Sequence, residues 1–203
     1  MTSFRRVLFL LATVLVSFSC SDKPDEDPGF GYRLYFQPES CEEMKVSESD
    51  GCILVELDGT TLSTHSDAIE EQIRRYYTLF LRRGEGGGNV ITVDYRMERC
   101  EDIAITAPVA LFGLAPGTDL SGKFEFLSSR DWTDFIITED MRLIGTIPTG
   151  MTIREYLSKS PMAFPKALLR LTSAPADSTI ETTLTISVTL EDKILSAELP
   201  VTL

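Results

Sequence analysis

The clearest pattern of apolar and polar positions lies near the end of the chain. Leu184, Ile186, Val188 and Leu190 alternate with Thr183, Thr185, Ser187 and Thr189. After Glu191-Asp192-Lys193 the same period returns in Leu195, Ala197, Leu199, Val201 and Leu203. A period of two sends alternate side chains to opposite faces, so this stretch predicts a β-hairpin with one buried and one solvated side. Pro200 has no N–H for a ladder, which places the last strand at a sheet edge or leaves that N–H direction open.

Shorter runs of the same kind recur upstream. Tyr32 to Gln37, Ile53 to Leu57 and Val90 to Met97 each alternate, the last with Ile91, Val93, Tyr95 and Met97 on one side. The parity slips around Arg99 to Asp102 before Ile103, Ile105 and Ala107 resume, which predicts a turn or a bulge near Cys100. Phe124–Leu127, Phe135–Thr138, Leu143–Ile147 and Ala167–Leu171 read as further short strands, and Ala115 to Asp119 as a loop. Pro38 to Gly51 is polar and acidic and reads as a long connection, and Gly84 to Asn89 as the flexible loop of a hairpin.

Helical periodicity is rarer. Over Ser66 to Arg83, Ile69, Ile73, Tyr76, Tyr77 and Phe80 fall on one stripe, with Ser66 or Asp67 as a cap. Tyr76 to Arg82 is also β-prone, so a short helix followed by a strand fits the same residues. Thr152 and Glu155 make a capping box that opens one or two turns through Tyr156 and Leu157. Many short strands with turn signals between them predict a mainly β fold: an antiparallel β-sandwich, immunoglobulin-like in the broad sense, with one or two short helices.

The front of the chain has no such alternation. Arg5 and Arg6 precede an apolar run from Val7 to Val16, followed by Ser17-Phe18-Ser19-Cys20 and an acidic string from Ser21 to Asp27. The run is shorter than the roughly 20 apolar residues of a spanning helix. A basic start, a short apolar stretch and small residues before Cys20 predict a signal peptide over residues 1–19. Residues 20–30 then form an acidic tether, and residues 31–203 a single domain.

Charge narrows the function classes. The net charge of −12 becomes −14 once residues 1–19 leave, because they carry Arg5 and Arg6 and no acid. Binding to nucleic acid needs clustered cations, so that class is excluded from the expectation.

Candidate chemistry is sparse. No C-x-x-C occurs, and His65 is the single histidine, so neither a zinc site nor a hydrolytic triad is expected, and no cofactor. His65 reads as a surface or capping residue. Glu42-Glu43 and Glu139-Asp140 are carboxylate pairs of the type a glycosidase uses, but adjacency is common among 31 acids. The expectation is a protein that is not an enzyme. Trp132, in a polar loop, is the candidate ligand contact, by stacking on a sugar. With Cys20 set aside, Cys41, Cys52 and Cys100 allow one disulfide and one free thiol. Cys41–Cys52 would close a short loop, Cys100 is the alternative partner of either, and three buried free thiols is the remaining outcome.

Two resemblances add to this reading. Ser17 to Cys20 resembles the lipobox of bacterial lipoproteins, in which Cys20 would carry the lipid, although Ser17 stands where an aliphatic residue is usual. The acidic string after it resembles the segment that sends Bacteroidetes lipoproteins to the outer face of the outer membrane. Together with Tyr95 to Cys100 and Gly150 to Phe164, these features resemble a family of Bacteroidetes surface lipoproteins of unknown function. Asp177-Ser178-Thr179 resembles the short O-glycosylation sequon of such exported proteins. The resemblance implies a lipid anchor, an outer-membrane location facing the exterior or the periplasm, and no established activity. The expected function is a non-catalytic glycan- or protein-binding module. The alternative is a structural or assembly subunit of a surface complex or fimbria-like fibre.

Overall fold

Eleven strands and two helices follow one another in the computed structural model, which describes residues 33–81, 90–129, 134–173 and 180–203. Leu34–Glu85 and Val90–Leu203 make one compact unit. The strands are β1 (Arg33–Glu39), β2 (Glu43–Ser49), β3 (Cys52–Asp58), β4 (Val90–Arg96), β5 (Cys100–Thr106) and β6 (Phe124–Leu127). They continue as β7 (Phe135–Ile137), β8 (Leu143–Thr146), β9 (Lys166–Leu171), β10 (Glu181–Leu190) and β11 (Ile194–Thr202). The helices are α1 (Asp67–Leu81) and α2 (Ile153–Leu157). Among the described residues no helix is long and apolar enough to cross a membrane.

The protein is mainly β, and its principal layers are two antiparallel sheets with strand orders β11-β10-β5 and β2-β3-β9-β6. Their alternate residues meet in one core. Leu184, Ile186, Val188 and Leu190 come from β10, and Ile103 and Ile105 from β5. Val55 and Leu57 of β3, Leu169 of β9 and Phe126 of β6 meet them from the other sheet. The terminal hairpin therefore supplies two of the three strands of one layer, with one face buried as its alternation predicts. Burying each such side chain contributes about 1.5–3 kcal/mol.

Pro200 fits the expected edge position. Ile180 and Leu203 exchange both backbone hydrogen bonds, so Thr183 and Pro200, three pairs along, form a non-bonded pair. The nitrogen of Pro200 thus faces away from β10, toward the open side of β11, where β2 packs alongside without a hydrogen-bonded ladder.

The bulge expected near Cys100 is present. On β10, Thr189 faces Asp102 while Leu190 faces Cys100, so Glu101 is the extra residue. This insertion reverses parity and turns Cys100 into the same core as Ile103 and Ile105.

Two segments depart from or sharpen the sequence reading. Pro38 to Gly51 is not a long connection, because it contains β2. Asp50 (φ 52°) and Gly51 (φ 73°) form the two-residue turn between the paired Ser49 and Cys52. Ser66 to Leu81 resolves as helix rather than helix plus strand. Ser66 Oγ accepts from the Ile69 N–H, and Tyr76 and Tyr77 both pack edge-on against Phe135, at 5.3 and 6.0 Å between ring centres. The Gly84 to Asn89 loop lies outside the described residues.

A second core was not legible in the sequence. Ile69 and Ile73 of α1 pack with Val93 and Tyr95 of β4, Phe135 and Ile137 of β7, and Met162. Gln72 docks the helix on the β7–β8 hairpin, donating to the Met141 carbonyl (3.1 Å) and accepting from the Leu143 N–H (2.9 Å). Strand β7 joins the two cores, since Ile136 points into the sandwich while its neighbours face α1.

Candidate functional site

The loop after β5 turns back on itself at Gly117, whose N–H donates to Ala107, and Leu120 then donates to Ile105. Between these anchors Asp119 is fixed by its own side chain. One carboxylate oxygen accepts from the N–H groups of Ile105 (3.1 Å) and Ser121 (2.9 Å), and the other accepts from the Ser121 hydroxyl (2.6 Å). A single 3₁₀ turn, Ser121–Lys123, leads from here into β6.

Helix α2 closes the opposite side. The predicted capping box forms: Thr152 Oγ1 accepts from the Glu155 N–H (3.1 Å), and a Glu155 carboxylate oxygen accepts from the Thr152 N–H (2.8 Å). The Thr152 N–H and, at 2.9 Å, the Thr152 hydroxyl both donate to the Glu155 carboxylate and hold it below its usual range. Ile153 and Tyr156 are buried, and the Tyr156 hydroxyl donates to the Met162 carbonyl (2.8 Å). Burial pushes the Tyr156 phenol well above its ordinary value. With those anchors inward, Arg154 is left on the surface.

Asp119, Ser121, Gly122, Thr152, Ile153 and Arg154 line a hollow of about 470 Å³. Its walls present a carboxylate, two hydroxyls and a guanidinium. The Arg154 guanidinium has no hydrogen-bond or ion-pair partner among the described residues, so its five donors are available to a ligand. The volume falls within the roughly 300–1,000 Å³ of small-molecule sites. A second, smaller cleft of about 100 Å³ lies among Glu48, Cys52, Ile53, Phe124, Leu184 and Thr202. It is below that range and is a packing gap at one end of the sandwich.

The residues expected from sequence lie elsewhere. Cys20, Trp132 and Asp177-Ser178-Thr179 fall outside the described residues. Glu139 is bonded by Arg99 (3.0 Å), and Asp140 by Arg142 (2.6 Å) and Thr138. Glu42 accepts from Thr60 (2.7 Å) and Ser40 (3.0 Å), while Glu43 is an exposed strand residue. Glu42, Glu139 and Asp140 are engaged locally, Glu43 lies 3.9 Å from Lys45, and none of the four lines the hollow.

His65 sits just before α1, its Nε2 2.9 Å from an Asp67 carboxylate oxygen. With Glu70 it forms the one group of metal-ligand type among the described residues, with donor atoms within 4.8 Å of one another. The Tyr95 hydroxyl donates to Glu70 (3.2 Å), while His65 and Asp67 are exposed. These side chains have the donor types and spacing to take a cation, though not the enclosure of a structural site.

The three body cysteines are buried free thiols. The Cys41–Cys52 pairing expected as one alternative is corrected by strand register. Cys52 faces Ser49 across the β2–β3 turn, and Cys41 lies eight residues before Ser49, ahead of the start of β2. Extended chain rises about 3.3 Å per residue, so the two are more than roughly 20 Å apart. A disulfide needs α-carbons within about 7 Å. Cys41 instead lies beside Glu98, whose carboxylate accepts its N–H (3.3 Å).

The hollow itself escaped the sequence reading. Its loop and its capping box were each visible as local signals, but nothing local brings residues 119 and 154 together. That follows from the Glu125–Thr152 bridge and from Phe126 donating to Met151. No family model, curated protein or solved structure matches the chain.

Proposed function

We propose that this chain is a lipid-anchored cell-envelope protein whose sandwich is a non-catalytic module binding a glycan at the hollow between Ser121–Lys123 and α2. The observation that carries the binding reading is the polar lining of the hollow, with the unengaged guanidinium of Arg154 at its edge. Paired hydroxyls of a sugar match that planar fork of donors, and the Ser121 and Thr152 hydroxyls supply further partners. The anchoring reading rests on the sequence from Arg5 to Asp27, with Cys20 as lipid acceptor and the acidic string as solvated tether. In this picture the tether holds the module at the outer face of the outer membrane.

A glycan array probed with the chain carrying Cys20→Ser is expected to give ligands whose binding Arg154→Ala weakens by about tenfold or more. That is the effect of losing about 1.4 kcal/mol of charge-assisted hydrogen bonding. A blank array, or binding indifferent to Arg154→Ala, would contradict the site. Retention of a partner protein at the same residues would move the reading to a protein ligand.

The assembly-subunit reading draws on the edge position of β11. Pro200 removes a donor from the open side of that strand, and β2 packs alongside it. Both features disfavour addition of a foreign strand there.

A further inference from the structure

We propose that Cys41 and Cys100 become joined in a disulfide whenever the chain folds under oxidising conditions, while Cys52 stays a free thiol. The inference starts from how the chain converges at one end of the sandwich. The Met97 N–H donates to the Glu39 carbonyl (3.3 Å), so the C-terminal ends of β1 and β4 meet and their following residues run on together. Two residues beyond that contact, Cys41 donates its N–H to the Glu98 carboxylate (3.3 Å). Lys193, in the turn of the β10–β11 hairpin, reaches the same carboxylate oxygen at 2.9 Å.

Cys100 is two residues past Glu98, and the Glu101 bulge turns it inward opposite Leu190, beside that same hairpin turn. Cys41 and Cys100 are 0% and 2% exposed and belong to one core cluster. Their proximity also shows electrostatically, because charge on Cys41 raises the pKa of Cys100.

Cys52 is at the other end. It lines the small cleft together with Thr202 and Leu203, where Glu181 pairs with Thr202. Cys100 pairs with Leu190, nine residues along β10, which places the two thiols roughly 30 Å apart along the strand direction. Register therefore removes Cys52 from both pairings and leaves one.

The order of events follows from burial. Desolvation pushes both thiols up to about 12 from 9.0, so in the closed core neither is a useful nucleophile. Oxidation must come before the core closes. One cysteine thiolate attacks an exchanging protein disulfide, forming a mixed disulfide and releasing the donor's first thiolate. The second cysteine thiolate attacks the sulfur of the first, forming the Cys41–Cys100 bond and releasing the donor's second thiolate. The two cysteines lose two electrons and two protons in total, and the donor ends as a dithiol. The bond ties the segment entering β2 to β5, and so one sheet of the sandwich to the other.

The test uses the purified full-length chain, which keeps it separate from the export reading. The chain is refolded from denaturant in a glutathione redox buffer, alkylated, unfolded, alkylated with a second reagent, digested and weighed. The expected result is a Cys41–Cys100 linked peptide lighter by two hydrogens, with Cys52 carrying the second reagent. In the oxidised protein, Cys41→Ser and Cys100→Ser should each lower the urea midpoint, and the double variant should lose clearly less than the sum of the two singles, because both break the same bond. Recovery of Cys41, Cys52 and Cys100 all as free thiols, or a linked peptide containing Cys52, would overturn the proposal.

Discussion

Arg96 shows how one residue can be correctly placed by pattern and still misjudged in environment. The alternation over Val90 to Met97 puts it opposite Val93 and Tyr95, and it does point that way. Periodicity treats that second face as solvated, whereas Arg96 is 4% exposed. Its Nε and Nη2 donate to the Leu57 carbonyl, and Nη1 lies 2.7 Å from a Glu39 carboxylate oxygen. That last N–H is angled off the line, so the contact is chiefly charge against charge. Nothing local in the sequence announces an ion pair whose partners come from β1 and β3. Arg96→Ala strands the Glu39 charge and the Leu57 carbonyl, and should cost about 3–5 kcal/mol in urea unfolding. A cost below about 1 kcal/mol would show that water reaches the site freely.

At the scale of elements, legibility followed the strength of the apolar signal. The terminal hairpin has five apolar positions on its second arm alone, and its register and edge position were readable. Strand β2 has only Met44 and Val46 among charged residues and was read as loop, although Asp50-Gly51 is a strong hairpin turn. Helix α1 was ambiguous because tyrosine suits either state, and Phe135, which settles it, arrives from far along the chain. The two arms of the hairpin also differ in burial. Ile186 of the central strand is fully buried, and Leu195 of the edge strand is half-buried. Ile186→Ala should therefore cost about 2–5 kcal/mol. Leu195→Ala should cost distinctly less, and equal losses in denaturant titrations would contradict the layer assignment.

For the whole molecule, two cores share β7, and the titration of four surface carboxylates and two buried thiols bounds the pH range of stability. Glu42, Asp58, Asp140 and Glu155 are all held below their ordinary values, Glu42, Asp58 and Asp140 chiefly by side-chain hydrogen bonds and Glu155 by the Thr152 N–H. The unfolded chain thus takes up protons first as pH falls, and stability present above about pH 4.5 is lost progressively below it. At the other extreme Cys41 and Cys100 are raised from 9.0 to about 12, so the unfolded chain releases protons first. Their stabilisation is complete below pH 9 and is lost between there and about pH 12. In the disulfide form those protons are absent, so unfolding midpoints above pH 9 should fall less for oxidised than for reduced protein. Identical alkaline profiles would mean that the two thiols do not carry this effect.

The hollow lined by Arg154 and the lipid anchor proposed at Cys20 meet in one proposal, a binding module tethered outside the cell. Protease treatment of intact cells, followed by mass spectrometry of the N-terminal peptide left in the membrane, tests it most directly. The account predicts a mature chain beginning at a lipid-modified Cys20, cut from its body by protease without cell lysis. An unmodified Cys20, or a body protected until the cells are broken, would contradict it.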